Sequence, residues 1–199
     1  DHVLVPYHLI ETSTKITDDG LTYEKLDEEE REQYEDEFCE DDGLVDHIPP
    51  EKINTYIFNR DTVDIMISDL MNHGIKHKNG NHVGKTIIFA QNKRHAKYII
   101  ERFDVLYPQY KGAFCKLVVC DEPYAEKNLE DFKKPDEYPF ITVTVDMLET
   151  GVDVPEITNL VFAKKVYSRI KFEQMIGRGT RLCENLFGEG RDKKEFYIF

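Results

Sequence analysis

From Lys85 onward, short β-branched apolar runs alternate with amphipathic stretches, and this alternation constrains the fold more than any other feature. The runs are "TIIFA", "CKLVVC", "ITVTV", "NLVFA" and, last, "EFYIF"; between them lie "KRHAKYIIERFDVLY", "AEKNLEDFKK" and "SRIKFEQMIGRGTRL". A strand that is apolar at successive positions needs cover on both faces. Such strands separated by helices predict an α/β domain, an open parallel sheet with helices on both faces. Its sites are expected beyond the carboxyl ends of the strands. No internal repeat is evident.

Residues 1–84 differ in texture and read as a smaller α+β linking segment ahead of an α/β lobe at 85–199. "HVLVPYHLIETSTKITDDGLTYEKL" alternates apolar positions around a "DDG" turn, which predicts short strands in a hairpin. In "LDEEEREQYEDEFCEDDG", Asp27 is placed as an N-cap with Glu28, Glu29 and Glu30 in the first helical turn. "NRDTVDIMISDLMNHG" then carries Val63, Ile67, Leu70 and Met71 at helical spacing, with Gly74 as the stop.

Charge is distributed unevenly. The chain has a net charge of −13, which taken whole argues against a nucleic-acid partner. Yet 15 acidic residues lie between Asp18 and Asp46 against Lys25 and Arg31, so the whole imbalance sits in that segment. Its functional reading is a DNA mimic or a docking helix for a basic partner; its structural reading is a solvated charged helix. Four cysteines, Cys39, Cys115, Cys120 and Cys183, show no C-x-x-C pair and no zinc spacing, so no metal is expected and a reducing cytoplasm fits. No apolar run approaches the ~20 residues of a membrane span. The chain opens without a methionine and closes on an apolar run, as expected of a fragment of something larger.

Two stretches look like nucleotide-binding elements. "GNHVGKTIIFA" ends its loop in Gly84, Lys85 and Thr86, as a P-loop does. A P-loop places four residues between its glycines and opens a helix, so that backbone N–H groups wrap the phosphates. Here Gly80 and Gly84 enclose three and the loop enters a strand, so a polar loop feeding the sheet is favoured. "VVCDEPYAE" offers Asp121 and Glu122 as an acidic pair for magnesium, but a helix-capping turn with Pro123 explains them as well.

Two later stretches are more specific. In "ITVTVDMLETGVDVPEITNLVF" a buried strand runs into a loop with Asp146, Gly151, Asp153 and Pro155. Gly151 permits backbone conformations closed to other residues, and Asp153 offers a carboxylate to a ribose hydroxyl; the structural alternative is a Gly-Pro turn with a self-capping Asp. In "KFEQMIGRGTRLC", the spacing predicts Gln174, Arg178 and Arg181 on nearly one helical face, with Gly177 and Gly179 admitting a close neighbour. Two arginines so placed suit the charge of a transferring phosphoryl group. The alternative is a surface helix with two solvated arginines.

Together these stretches resemble the second RecA-like lobe of superfamily 2 helicases and translocases: "TIIFAQN" is similar to motif IV, "VDMLETGVDVPEI" to motif V and "QMIGRGTRL" to motif VI. More narrowly, they and "FNRDTVDIMISDLMNHGI" resemble the motor region of the R subunit of type I restriction enzymes. The resemblance implies a RecA-like fold and an ATP-dependent DNA translocase that also carries a nuclease domain and assembles with methylation and specificity subunits. It implies Arg178 and Arg181 as catalytic arginine fingers, and Gly151, Asp153 and Gln174 as ATP-binding residues. ATP and Mg2+ would be held with a first motor lobe that supplies the P-loop and the magnesium carboxylates, and this piece alone would be inactive. Asn92 and Lys93, after the first strand, are candidates for duplex DNA.

The departures from RNA helicases of the DEAD-box group are Val145 where those have threonine and Gln174 where those have histidine, and both favour the DNA-translocase branch. A PD-(D/E)xK nuclease pattern is not found. The alternatives are the motor lobe of another superfamily 2 DNA helicase, or a protein-docking module using the acidic segment 18–46.

Overall fold

The computed structural model describes residues 4–10, 21–22, 31, 47–48, 60–119, 122–145 and 153–199. The acidic helix expected after Asp27 lies almost wholly outside them, as do Asp121, Asp146 and Gly151. Among the described residues, six strands form one sheet: β1 (Tyr7–Leu9), β4 (Lys85–Ala90), β5 (Cys115–Leu117), β6 (Ile141–Thr144), β7 (Ile157–Ala163) and β8 (Phe196–Ile198). Their order is β1-β8-β7-β4-β6-β5, and every neighbouring pair is parallel. β2 (Leu21–Thr22) and β3 (His47–Ile48) pair antiparallel by themselves.

Among the described residues, four helices pack around the sheet: α1 (Arg60–His73), α2 (Lys93–Leu106), α3 (Ala125–Phe132) and α4 (Arg169–Ile176). The period of two along β4 separates the two cores. Ile88 and Ala90 join Val63, Ile67 and Leu70 of α1 and Ala96, Ile99 and Phe103 of α2 on one face. Ile87 and Phe89 join Phe132 of α3 and Met175 of α4 on the other. Each large side chain taken out of water contributes about 1.5–3 kcal/mol. The sheet is therefore held from both faces, as a RecA-like lobe requires.

Residues ahead of position 84 take part in this body. Asn159 on β7 is fully buried, accepts from Ile75 N at 2.8 Å and donates to Ile75 O at 3.1 Å. Arg102 on α2 grips Asp64 on α1 through two bonds, Nε at 2.7 Å and Nη2 at 2.6 Å. β1 pairs with β8 in register Tyr7 to Phe196. No helix of the described residues is long and apolar enough to cross a membrane.

Candidate functional site: the Asp153 and Arg181 face

From Val83 onward the P-loop-like stretch is a piece of core. Lys85 is 2% exposed, and its ammonium donates to the carbonyls of Glu137 and Pro139, both at 2.8 Å. The rings of Phe132 and Phe140 stand over it, 5.1 and 4.6 Å from the charge to their centroids. Burial pulls this amine down to about 8. A lysine so enclosed cannot reach a phosphate. Gly84 is small for a packing reason: a Cβ there would lie 2.5 Å from Thr158 Oγ1.

The helix read through "KFEQMIGRGTRL" is shorter than its spacing predicts. Ser168 caps it, its hydroxyl accepting from Lys171 N, and it ends at Ile176 with Gly177 as C-cap. Arg178 N donates to Met175 O at 3.2 Å and Gly179 N to Ile176 O at 2.9 Å, so the chain leaves the helix in a tight turn. Arg178 and Arg181 therefore do not share a helical face with Gln174, which is exposed on α4 itself. The glycines serve this exit. A Cβ on Gly179 would stand 2.3 Å from the Phe196 ring, so only glycine lets the turn lie flat on β8.

Beyond the turn the backbone extends. Thr180 O accepts from Val5 N at 2.9 Å, and Arg181 forms an antiparallel bridge with Leu4. This extension brings Arg181 Nε to 3.3 Å from Asp153 Oδ1, with side chains 58% and 61% exposed. Asp153 lies just ahead of β7 and Leu4 just ahead of β1, so the pair sits at the amino ends of the strands. The expectation of carboxyl ends fails for these two residues. Asp153 precedes a strand that runs parallel to β6, and strands joined in parallel start at the same end of the sheet.

Residues 62–183 match the family model of the helicase conserved C-terminal domain. The chain belongs to that family. Over 123 residues it is 41% identical to the type I restriction enzyme EcoKI endonuclease subunit of Escherichia coli K12, a match covering 58% of this chain and 10% of that relative. It is 31% identical over 111 residues to the EcoAI endonuclease subunit of Escherichia coli, covering 54% and 14%. A fragment structure from Vibrio vulnificus YJ016, described as an HsdR subunit of a type I restriction enzyme, superposes over 100% of this chain and 32% of its own at a TM-score of 0.67 and 23% identity. The matched stretch thus spans only 10% and 14% of the length of these two curated relatives.

In this helicase C-terminal lobe the other candidates fall at the opposite end of the sheet. Asn92 follows β4 and caps α2, its side-chain oxygen accepting from His95 N at 2.8 Å. Lys93 and the neighbouring Lys97 both reach Glu122 Oε1, at 2.6 and 2.9 Å. The two lysines hold the Glu122 carboxyl below its usual range, so Glu122 is paired with Lys93 and Lys97 at the start of α2. Lys164, just past β7, donates to the carbonyl of Val145. Lys164, Val5 and Lys193 leave no trace in the sequence pattern, because the two lysines bond to backbone carbonyls and Val5 through its own N–H, contacts that carry no motif.

Proposed function

We propose that this lobe is the second motor lobe of an ATP-dependent DNA translocase of the type I restriction class, completing an ATP site whose other half belongs to a first lobe. The observation that carries the reading is the exposed Asp153 and Arg181 pair at 3.3 Å. It sets an acceptor suited to a ribose hydroxyl beside a cationic fork suited to a phosphate. The similarity to the EcoKI and EcoAI endonuclease subunits supports the restriction class.

On this reading ATP with Mg2+ supplies the phosphoryl group and its charge-neutralising ion, while Arg178 and Arg181 stabilise the charge that develops on transfer. Asp153, Gly151 and Gln174 orient the nucleotide. With Lys85 enclosed in the core, the P-loop lysine and the magnesium carboxylates come from the first lobe. Duplex DNA passes the opposite end, at Asn92 and Lys93, and methylation and specificity subunits complete a cytoplasmic assembly. The nuclease function of the parent protein lies outside this lobe.

The test is DNA-stimulated ATP turnover by the full-length protein. Arg181→Ala should lower it by about three orders of magnitude if the guanidinium acts as an arginine finger. Wild-type turnover in that variant, or turnover by the isolated 199-residue chain, would refute the shared-site reading.

A further inference from the structure

Lys193 is a buried cation that the chemistry above leaves unused. It is 1% exposed, and its ammonium donates to the carbonyl of Pro155 at 3.0 Å, with the Phe196 ring centroid 5.9 Å away. Its backbone N–H donates to the carbonyl of Cys183 at 2.9 Å. One residue is thus bonded to both segments that carry the exposed pair, since Pro155 closely follows Asp153 and Cys183 closely follows Arg181.

The energetics favour a role beyond packing. Burial lowers the Lys193 amine to about 8, with Cys183 and Glu156 opposing the shift. A methionine of similar length would fill the slot without desolvating a charge. The Arg181 segment is also anchored through its backbone to Val5 and through Gly179 to Phe196, which share one core cluster with Val154 beside Asp153. What Lys193 adds is a buried hydrogen-bonded cross-link between the two segments.

We infer that Lys193 is a positioning residue which, by tying Pro155 to Cys183, sets the distance between Asp153 and Arg181 and so the geometry of nucleotide contact. This rests on the reading that the pair serves the ATP site.

The experiment measures kcat and KM for ATP, with melting temperature, in full-length Lys193→Met, Asp153→Asn and the double variant. Lys193→Met should lower kcat about a hundredfold, the scale of a ~1 Å misplacement in an active site. The double variant should be no worse than the poorer single, because both changes act on one arrangement. Losses that multiply, or near-wild-type kcat in folded Lys193→Met, overturn the inference. Should Lys193→Met not fold, Lys193→Gln, which keeps a donor on a shorter stem, is read by the same criteria. If neither folds, Lys193 is a part of the core and the positioning role is overturned. Normal turnover in both Asp153→Asn and Arg181→Ala would instead refute the ATP-site reading, so the two failures are distinct.

Discussion

Arg181 Nε stands 3.3 Å from Asp153 Oδ1, although β7 and α4 both lie between the two residues in the chain. Both side chains are more than half exposed, and ion pairs of this kind contribute only about 0–1 kcal/mol to stability. Such a contact does little for the fold. On the proposed reading it is a pair of groups offered to the nucleotide.

That weakness gives the first prediction. Asp153→Asn should shift the unfolding free energy of the chain by less than about 1 kcal/mol in a urea titration. In the full-length protein the same change should raise KM for ATP. A large stability loss with unaltered KM would show the pair to be structural.

Lys85 should behave in the opposite way. Lys85→Ala leaves the carbonyls of Glu137 and Pro139 without their donor and opens space beneath two phenylalanine rings. A cost of about 2–4 kcal/mol follows from the orphaned acceptors and the cavity. Chemical denaturation measures it, and nucleotide affinity of the full-length protein should not change beyond what unfolding explains.

The pH dependence of stability has a defined sign on the alkaline side. Lys85 and Lys193 sit near 8 in the folded chain, below their ordinary 10.5. Between about 8 and 10.5 the unfolded chain holds more protons, so stability rises with pH, by up to on the order of 3 kcal/mol per lysine. Unfolding midpoints at pH 7.5 and 10 test this, and Lys85→Met should remove about half of the rise.

On the acid side, His95 contributes to the response. It is fully buried behind β4, and burial lowers its imidazole to about 4 from 6.5. Its stabilising contribution is complete above about 6.5 and is lost as pH falls toward 4, on the order of 3 kcal/mol in all. His95→Gln should flatten that slope in urea midpoints compared at pH 7 and 4.5.

Gly179 tests the turn after α4. Gly179→Ala drives a methyl group into the Phe196 ring and should cost about 1–3 kcal/mol, as overpacking does. Gly179→Ala combined with Phe196→Leu should recover part of that loss in thermal melts. Full additivity would mean that the two do not meet.

The sheet was legible because its signal is local: a strand forms within each run from "TIIFA" to "EFYIF" and a helix between them where the apolar period placed it, the last one ending early at Ile176. The failures have a common cause. Helical spacing through Arg181 ignored how flat the chain must lie on Phe196, a neighbour 17 residues away in sequence that no local period reveals. The texture of residues 1–84 gave no sign that Tyr7–Leu9 would pair with the last strand or that α1 would share a core with α2, since both are long-range pairings.

By itself, then, the sequence determined the α/β alternation, the two-faced burial of the strands and the identity of Asp153 and Arg181 as candidates, because period and residue chemistry are local properties. Tertiary structure decided the rest. Parallel crossovers carried Asp153 and Arg181 to the amino ends of the strands, left Asn92 and Lys93 at the carboxyl end of β4, and closed Lys85 and Lys193 over backbone carbonyls. Which groups meet depends on how distant segments pack, and a linear pattern of residue types does not contain that.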